Sequence, residues 1–418
     1  MSINQMIEEM AKAAKKASRV LRTIDRRKKD AVLDSIVKKL IEREKDIYSE
    51  NEKDIRGATE RGLSSAMIDR LTLNNKTMES MIKGVKEVML LPDPVGEVTG
   101  MWKRPNNLLA GRVRIPLGVI GFIYESRPNV TVDAASLCLK SGNAVILKGG
   151  SEAINSNLIL ATIVEEALEE NSVPGKAVQV IPATERQATG ALLTCDDYLD
   201  VIIPRGGEGL IRFVSENSKI PVLKHYKGVC HVYVDKQADF QAAMDICFNS
   251  KVQRPGVCNA METMLVHEEI AADFLPEMVK RMRKANVEIR GCGKTLDLIP
   301  DALPATEDDW PAEFLDLILA VKVVSGMEAA LDHIEKYGSN HTEAIITKNY
   351  YRARSFLEKV DSSVVLVNAS TRFNDGNQLG LGAEIGINTS KLHAFGPMGL
   401  EELTTTKFIV YGEGQIRE

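Results

Sequence analysis

Short aliphatic runs that stop at glycine, proline or a charged residue and then give way to helical segments restrict the architecture of this chain more than any other feature. From Leu117 onward the runs are Val119–Tyr124, Ala144–Leu147, Ala177–Ile181 and Val201–Ile203. Continuous rather than alternating hydrophobicity suits a strand buried on both faces, and helical stretches between such strands connect them in parallel. A second set, Thr263–Val266, Ile318–Val321, Ala344–Ile346 and Val364–Val367, repeats the alternation. The expectation is therefore an α/β chain with two units, each built on a mostly parallel sheet. Hydrophobic residues make up 44% of the 418 and aromatic ones only 5%, a composition that suits aliphatic, sheet-centred cores.

The flanking segments read differently. Residues 1–90 carry apolar positions at i, i+3 and i+4, as in Lys28–Leu40, and predict three or more amphipathic helices. Residues 98–116 alternate polar and apolar residues around Asn106-Asn107, the pattern of a hairpin arm.

Charge and cysteine usage exclude several classes. The net charge is −5, and basic residues are interleaved with acids, so no nucleic-acid surface is expected. No apolar run approaches the roughly 18 residues of a membrane span, and residues 1–27 lack the apolar centre of a signal peptide. The expected location is cytoplasmic, without membrane contact. Six cysteines show neither C-x-x-C spacing nor a nearby histidine pair; they read as reduced thiols with no metal site.

One cysteine stands apart. In Ser250–Ala260, Cys258 follows Arg254, Pro255 and Gly256, and a turn next to a cation would hold an exposed sulfur with a lowered pKa. An ordinary buried cysteine is the alternative. Two glycine-bearing strand ends resemble cofactor contacts: Lys148-Gly149-Gly150-Ser151 and Pro204-Arg205-Gly206-Gly207. Each would set backbone N–H groups and a cation at the carboxyl edge of a sheet, where a phosphate can sit. Neither has G-x-G-x-x-G spacing, and each could be a plain connection that needs glycine.

Taken together, Tyr124–Thr131, Leu147–Gly150, Pro204–Gly207, Gln253–Ala260, Asn368–Gly376, Gly382–Ile387 and Lys391–Leu400 resemble the γ-glutamyl phosphate reductases, a branch of the aldehyde dehydrogenase superfamily, over nearly the full length. The resemblance implies an aldehyde dehydrogenase-like fold. Residues 1–97 and 117–245 would form a Rossmann-type NADP-binding unit, 246–390 the catalytic unit, and 98–116 with 391–418 a small β oligomerisation arm. It implies NADPH-dependent reduction of L-glutamyl 5-phosphate to L-glutamate 5-semialdehyde in proline biosynthesis. Cys258 would attack the acyl carbon, phosphate would leave a thioacyl enzyme, and hydride transfer would release the aldehyde. Asn129 would complete the oxyanion hole; its alternative is a turn residue after Pro128.

Further roles follow from the same resemblance. Glu313 would hold the nicotinamide ribose, or be an ordinary first-turn helix acid. Arg127 and Arg254 would bind the substrate carboxylate and acyl phosphate, or form structural ion pairs. Lys148 and Ser151 would accept the 2′-phosphate of NADPH; if the register slips by one, Glu152 would take the ribose instead. The stretch Leu223–His231 has no carboxylate where hydrolytic relatives carry one, which would protect a thioester from water. His225 is there as a proton donor or a structural histidine, and Phe395 stands where arginine is expected. A hydrolytic NAD(P)-dependent aldehyde dehydrogenase and a non-catalytic dinucleotide-binding protein are the competing readings. Expected partners are the small-molecule substrate, a second copy of the chain in a homodimer or higher oligomer, and glutamate 5-kinase.

Overall fold

Hydrogen bonding between strands assembles two parallel sheets and one antiparallel arm in the computed structural model, which describes residues 1–417. The first sheet has four strands in the order Val178–Val180, Ala144–Lys148, Val119–Tyr124 and Val201–Arg205. Ile123 is opposite Lys148 and Tyr124 opposite Arg205, so both glycine-bearing turns leave the same carboxyl edge. The chain steps from the Val119–Tyr124 strand outward on one side and then crosses to the other. Such a reversal opens a crevice at that edge.

The expected amphipathic helices are present at the N-terminus. Ser2 caps Ile3–Leu21 in a reciprocal capping box with Gln5, and Ile7, Ala11, Ala14 and Leu21 form its buried stripe. Asp25 caps Arg26–Glu42, which buries Val32, Leu33, Ile36, Val37 and Leu40. These stripes join the core of the first sheet in one cluster, along with Ile385, Ala394, Met398, Leu400 and Leu403 from the far end of the chain.

The second sheet is seven-stranded and parallel, in the order Leu303–Pro304, Glu288–Gly291, Ile318–Val324, Met261–His267, Cys230–Val234, Thr342–Ile346 and Val364–Val367. Three of these strands, Cys230–Val234, Glu288–Gly291 and Leu303–Pro304, were not expected from periodicity. The first corrects a boundary: the NADP-binding unit was expected to run to 245, yet Cys230–Val234 pairs with strands of the second sheet. The division between sheets therefore falls before Cys230. The catalytic unit was likewise expected to reach 390, but Ile385 packs in the first core. Both shifts arise because strand pairing and packing, rather than chain order, decide membership of a unit.

Residues 98–116 form the expected hairpin, Val98–Lys103 against Leu109–Pro116, with Asn107 at a φ of 67° in its turn. Thr404–Tyr411 pairs along the other side of Leu109–Pro116 and completes a three-stranded antiparallel arm. Among the described residues no helix is long and apolar enough to cross a membrane.

Candidate active site

Cys258 lies between the two sheets. Its loop joins the helix Phe240–Val252 to the amino end of the strand Met261–His267, while Gly228 and His341 precede the strands Cys230–Val234 and Thr342–Ile346. The amino edge of the second sheet thus faces the carboxyl edge of the first. A fully buried ion pair, Lys251 Nζ to Glu262 Oε2 at 2.6 Å, ties the base of the loop together. From the other side, Arg372 donates to Asn259 Oδ1 and to Gln253 Oε1, and Asn259 Nδ2 donates to the Asn374 carbonyl at 2.8 Å. Gly228 presses directly on Cys258: a Cβ there would meet the Cys258 carbonyl oxygen and lie 2.7 Å from its carbon and 2.9 Å from its Cα. Glu313 Oε1 accepts from the Gly228 N–H at 2.8 Å and Lys227 Nζ donates to the Pro311 carbonyl at 2.6 Å.

The expected lowering of the thiol pKa is not what the surroundings produce. Burial pushes Cys258 up to about 11; the Arg205 guanidinium opposes this, whereas the Glu313 and Glu384 carboxylates add to it. His225 and His341 each place a ring nitrogen near the sulfur, the three donor atoms lying within 4.8 Å of one another. Burial, with Arg205 nearby, lowers His225 to about 4; burial, then His225 and Arg205, lowers His341 to about 3. Burial thus favours the neutral thiol and the neutral imidazoles together, which opposes transfer of the thiol proton to His225 or His341 in the resting site. Neither histidine is therefore a base for the resting thiol. Cys230, a second buried thiol, donates to the Cys258 carbonyl at 3.1 Å.

Guanidinium groups crowd the same crevice. Desolvation lowers the Arg127 pKa, helped by the neighbouring charges of Arg205, Arg70 and Arg254; Arg372 is lowered by burial and by Arg254. Arg127 and Arg254 are thus brought together as expected, and Arg205 and Arg372 join them. Arg205, expected as a cofactor contact, has its guanidinium beside Gly386, and its charge acts on Cys258, His225 and His341. Asn129 opens the helix Asn129–Lys140 and donates from Nδ2 to Asp133 Oδ2 at 3.0 Å. Burial raises Asp133 to about 6. Glu384, raised to about 7 by burial, accepts from the Gly376 N–H at 2.9 Å. Sequence reasoning assigned no role to Arg372, His341 or Glu384. All three lie inside segments that carry the family resemblance, His341 in a further one that runs from Val324 to Ile345, and that was their only signal.

Both glycine turns expected to meet the cofactor stand at the carboxyl edge of the first sheet. Lys148 is buried, its ammonium donates to the Gly149 carbonyl at 2.9 Å, and desolvation lowers its pKa. Ser151 is exposed at the start of a short 3-10 turn. Glu152 turns away: its Oε1 accepts from both the N–H and the hydroxyl of Ser126 at 2.7 Å. A Cβ on Gly150 would strike that same carboxylate, at 2.5 Å from its carbon, and one on Gly149 would lie 3.2 Å from the Tyr124 ring. At the second turn, Glu125 Oε2 already accepts from the Gly207 N–H at 2.9 Å, and Gly206 packs on the same carboxylate, with a Cβ reaching 2.7 Å of its carbon. One donor expected for phosphate is thus occupied at the helix start. Glu313 lies in a loop, so the reading as a first-turn helix acid fails. Phe395 lies under the Lys391 ammonium, 5.5 Å from its ring centre.

Comparison with known proteins gives consistent matches. The aldehyde dehydrogenase family profile matches residues 2–292. Gamma-glutamyl phosphate reductase from Desulfatibacillum aliphaticivorans is 61% identical over 417 residues, covering 100% of both chains. The enzyme of the same name from Citrifermentans bemidjiense is 57% identical with the same coverage. In the crystal structure of gamma-glutamyl phosphate reductase from Thermotoga maritima the similarity reaches a TM-score of 0.97 at 50% identity, over 99% of this chain and 100% of that one.

Proposed function

This chain belongs to the aldehyde dehydrogenase family and, within it, to the gamma-glutamyl phosphate reductases, which are oxidoreductases; from that premise we propose that it reduces L-glutamyl 5-phosphate to L-glutamate 5-semialdehyde with NADPH, releasing phosphate from a thioacyl Cys258. The observation that carries this reading is the set of guanidinium groups, Arg127, Arg205, Arg254 and Arg372, whose charges reach one another, those of Arg205 and Arg372 also reaching the Cys258 thiol. A substrate with an α-carboxylate and an acyl phosphate brings the anionic charge such a crevice calls for, and guanidinium forks suit both groups.

Cys258 Sγ attacks the acyl carbon, and as the tetrahedral oxyanion collapses the carbon–oxygen bond to phosphate breaks, the departing phosphate carrying away the thiol proton. Asn129, with one amide N–H already fixed on Asp133, offers the other to that oxyanion, alongside the Cys258 backbone N–H. Arg254 and Arg372 hold the departing phosphate, while Arg127 orients the carboxylate. Arg205 stabilises sulfur as it takes on negative charge. Lys148, Gly149, Gly150 and Ser151 hold the adenosine end of the dinucleotide, the turn at Gly206 lies against its phosphates while the Gly207 N–H stays with Glu125, and Glu313 holds its nicotinamide ribose. NADPH, when bound, supplies the hydride that reduces the thioester.

Glu384 is the carboxylate that a hydrolytic reading would draw on, since its charge reaches Cys258. Its engagement by the Gly376 N–H favours a fixed role over activation of water. Run in reverse, oxidation of glutamate 5-semialdehyde by NADP+ should require inorganic phosphate and cease in Cys258→Ala. Turnover that ignores phosphate would establish the hydrolytic reaction instead. The labile acyl phosphate makes glutamate 5-kinase the natural supplying partner. The arm exposes Trp102, Phe408, Val410 and Tyr411, consistent with a homodimer or higher oligomer formed through it.

A further inference from the structure

The two imidazoles beside Cys258 do no work in the reaction above, yet each keeps a ring nitrogen that no protein group engages. His225 Nδ1 is 2.8 Å from the Ile387 carbonyl, which fixes the proton there and leaves Nε2 with its lone pair. His341 is fully buried; its Nδ1 is 2.7 Å from the Thr342 hydroxyl, and its Nε2 has no hydrogen-bond partner. A buried ring nitrogen left unpaired costs free energy unless a ligand meets it. One donor atom from each histidine and the sulfur lie within 4.8 Å of one another.

Two neutral imidazoles and a thiolate are the donor set of a borderline-soft divalent ion, zinc foremost. With Zn–N near 2.0 Å and Zn–S near 2.3 Å, neighbouring donors around a tetrahedral ion stand roughly 3.3–3.6 Å apart. Side-chain adjustment of about 1 Å closes the present triangle. The anchoring of His225 on Ile387 is the kind of outer contact that orients a metal-bound imidazole. Arg205 opposes a cation here, whereas Glu313 and Glu384 favour one.

The geometry points to a zinc site in which His225, Cys258 and His341 bind one Zn2+ and thereby silence the nucleophile. The S–H bond breaks, its proton goes to solvent, and a sulfur–zinc bond forms; no oxidation state changes. The fourth position stays open to water or a substrate oxygen. A ligated sulfur cannot attack an acyl carbon, so the ion acts as a reversible inhibitor. That consequence rests on the proposed role of Cys258, but the binding site itself does not.

Titration of the purified full-length enzyme with zinc chloride against a chromophoric chelator should give one tight ion per chain. Cobalt(II) in its place should show a thiolate charge-transfer band with the visible bands of a tetrahedral ion. Cys258→Ser should lose the charge-transfer band, and His225→Gln and His341→Gln should each weaken zinc at least about tenfold. Because His341 lies in the core, His225→Gln carries the test if the other variant fails to fold. Bound zinc should also block iodoacetamide at Cys258, with full recovery on adding EDTA. Unchanged zinc affinity in His225→Gln or Cys258→Ser, or cobalt bound without the thiolate band, would overturn the site. An active enzyme that binds no zinc sinks only this inference. A zinc-binding chain without reductase activity sinks only the proposed reaction.

Discussion

At the scale of single residues, Gly228 carries a constraint that its position in the chain does not reveal. Its Cα faces the Cys258 peptide so closely that a methyl group would sit 2.7 Å from the carbonyl carbon. Gly228→Ala must therefore displace the nucleophile or its partner strand. A misplacement of about 1 Å can cost on the order of 100-fold in rate, so kcat should fall by about that factor; a near-normal kcat would mean that the contact relaxes freely. Ser151 is the residue proposed to set the choice of cofactor. With Glu152 committed to Ser126, Ser151→Glu should place the first free carboxylate beside the 2′-phosphate and shift the kcat/KM ratio of NADPH to NADH by about tenfold or more toward NADH, a change of about 1.4 kcal/mol. Glu152→Ala should leave the ratio as it is. A wild type that prefers NADH and loses that preference in Glu152→Ala would assign the ribose contact to Glu152.

At the scale of elements, the nucleophile loop is held by what crosses its base. The helix Phe240–Val252 delivers Lys251 and the strand Met261–His267 delivers Glu262, both fully buried, and the Leu315 N–H adds a hydrogen bond to Glu262 at 3.2 Å. Removing one partner strands a charge in the core, which costs about 3–5 kcal/mol, whereas replacing both with apolar groups can be neutral. Lys251→Met should therefore lower the melting temperature sharply, and Lys251→Met with Glu262→Leu should recover most of the loss. If the double variant melts as low as the single one, the pair does more than neutralise itself.

At the scale of the whole molecule, opposing titrations should give stability an optimum. Glu384 and Asp133 have folded-state pKa values raised to about 7 and about 6. The folded chain therefore binds their protons more tightly than the unfolded one, and their contribution fades as pH rises through those values. His225 and His341, lowered to about 4 and about 3, act the other way: their contribution is lost as pH falls below the ordinary histidine value of about 6.5. The melting temperature of the ligand-free enzyme should peak between about pH 6 and 7, and Glu384→Gln should flatten the alkaline limb. Above its folded value Glu384 is ionised in both states, so an unaltered slope between about pH 6.5 and 7 in that variant would remove Glu384 from the account.

Periodicity alone determined the α/β class, the opening helices, the hairpin and most strands, because a strand buried on both faces must be aliphatic throughout whatever its neighbours are. Val119–Tyr124 and Val364–Val367 were legible to the residue. Cys230–Val234 was not: Cys, His and Tyr interrupt the aliphatic run, and Glu343 meets Nδ1 of the buried His231 at 2.9 Å only after the strands pair. The motifs around Cys258 and Asn129 marked the chemistry, and the two glycine turns marked the cofactor edge. Only the tertiary structure decided that Arg205 faces the thiol, that Arg372 and His341 join it from distant segments, and that burial raises rather than lowers the thiol pKa. Those properties depend on distances and desolvation between elements far apart in the chain, and a linear pattern carries neither.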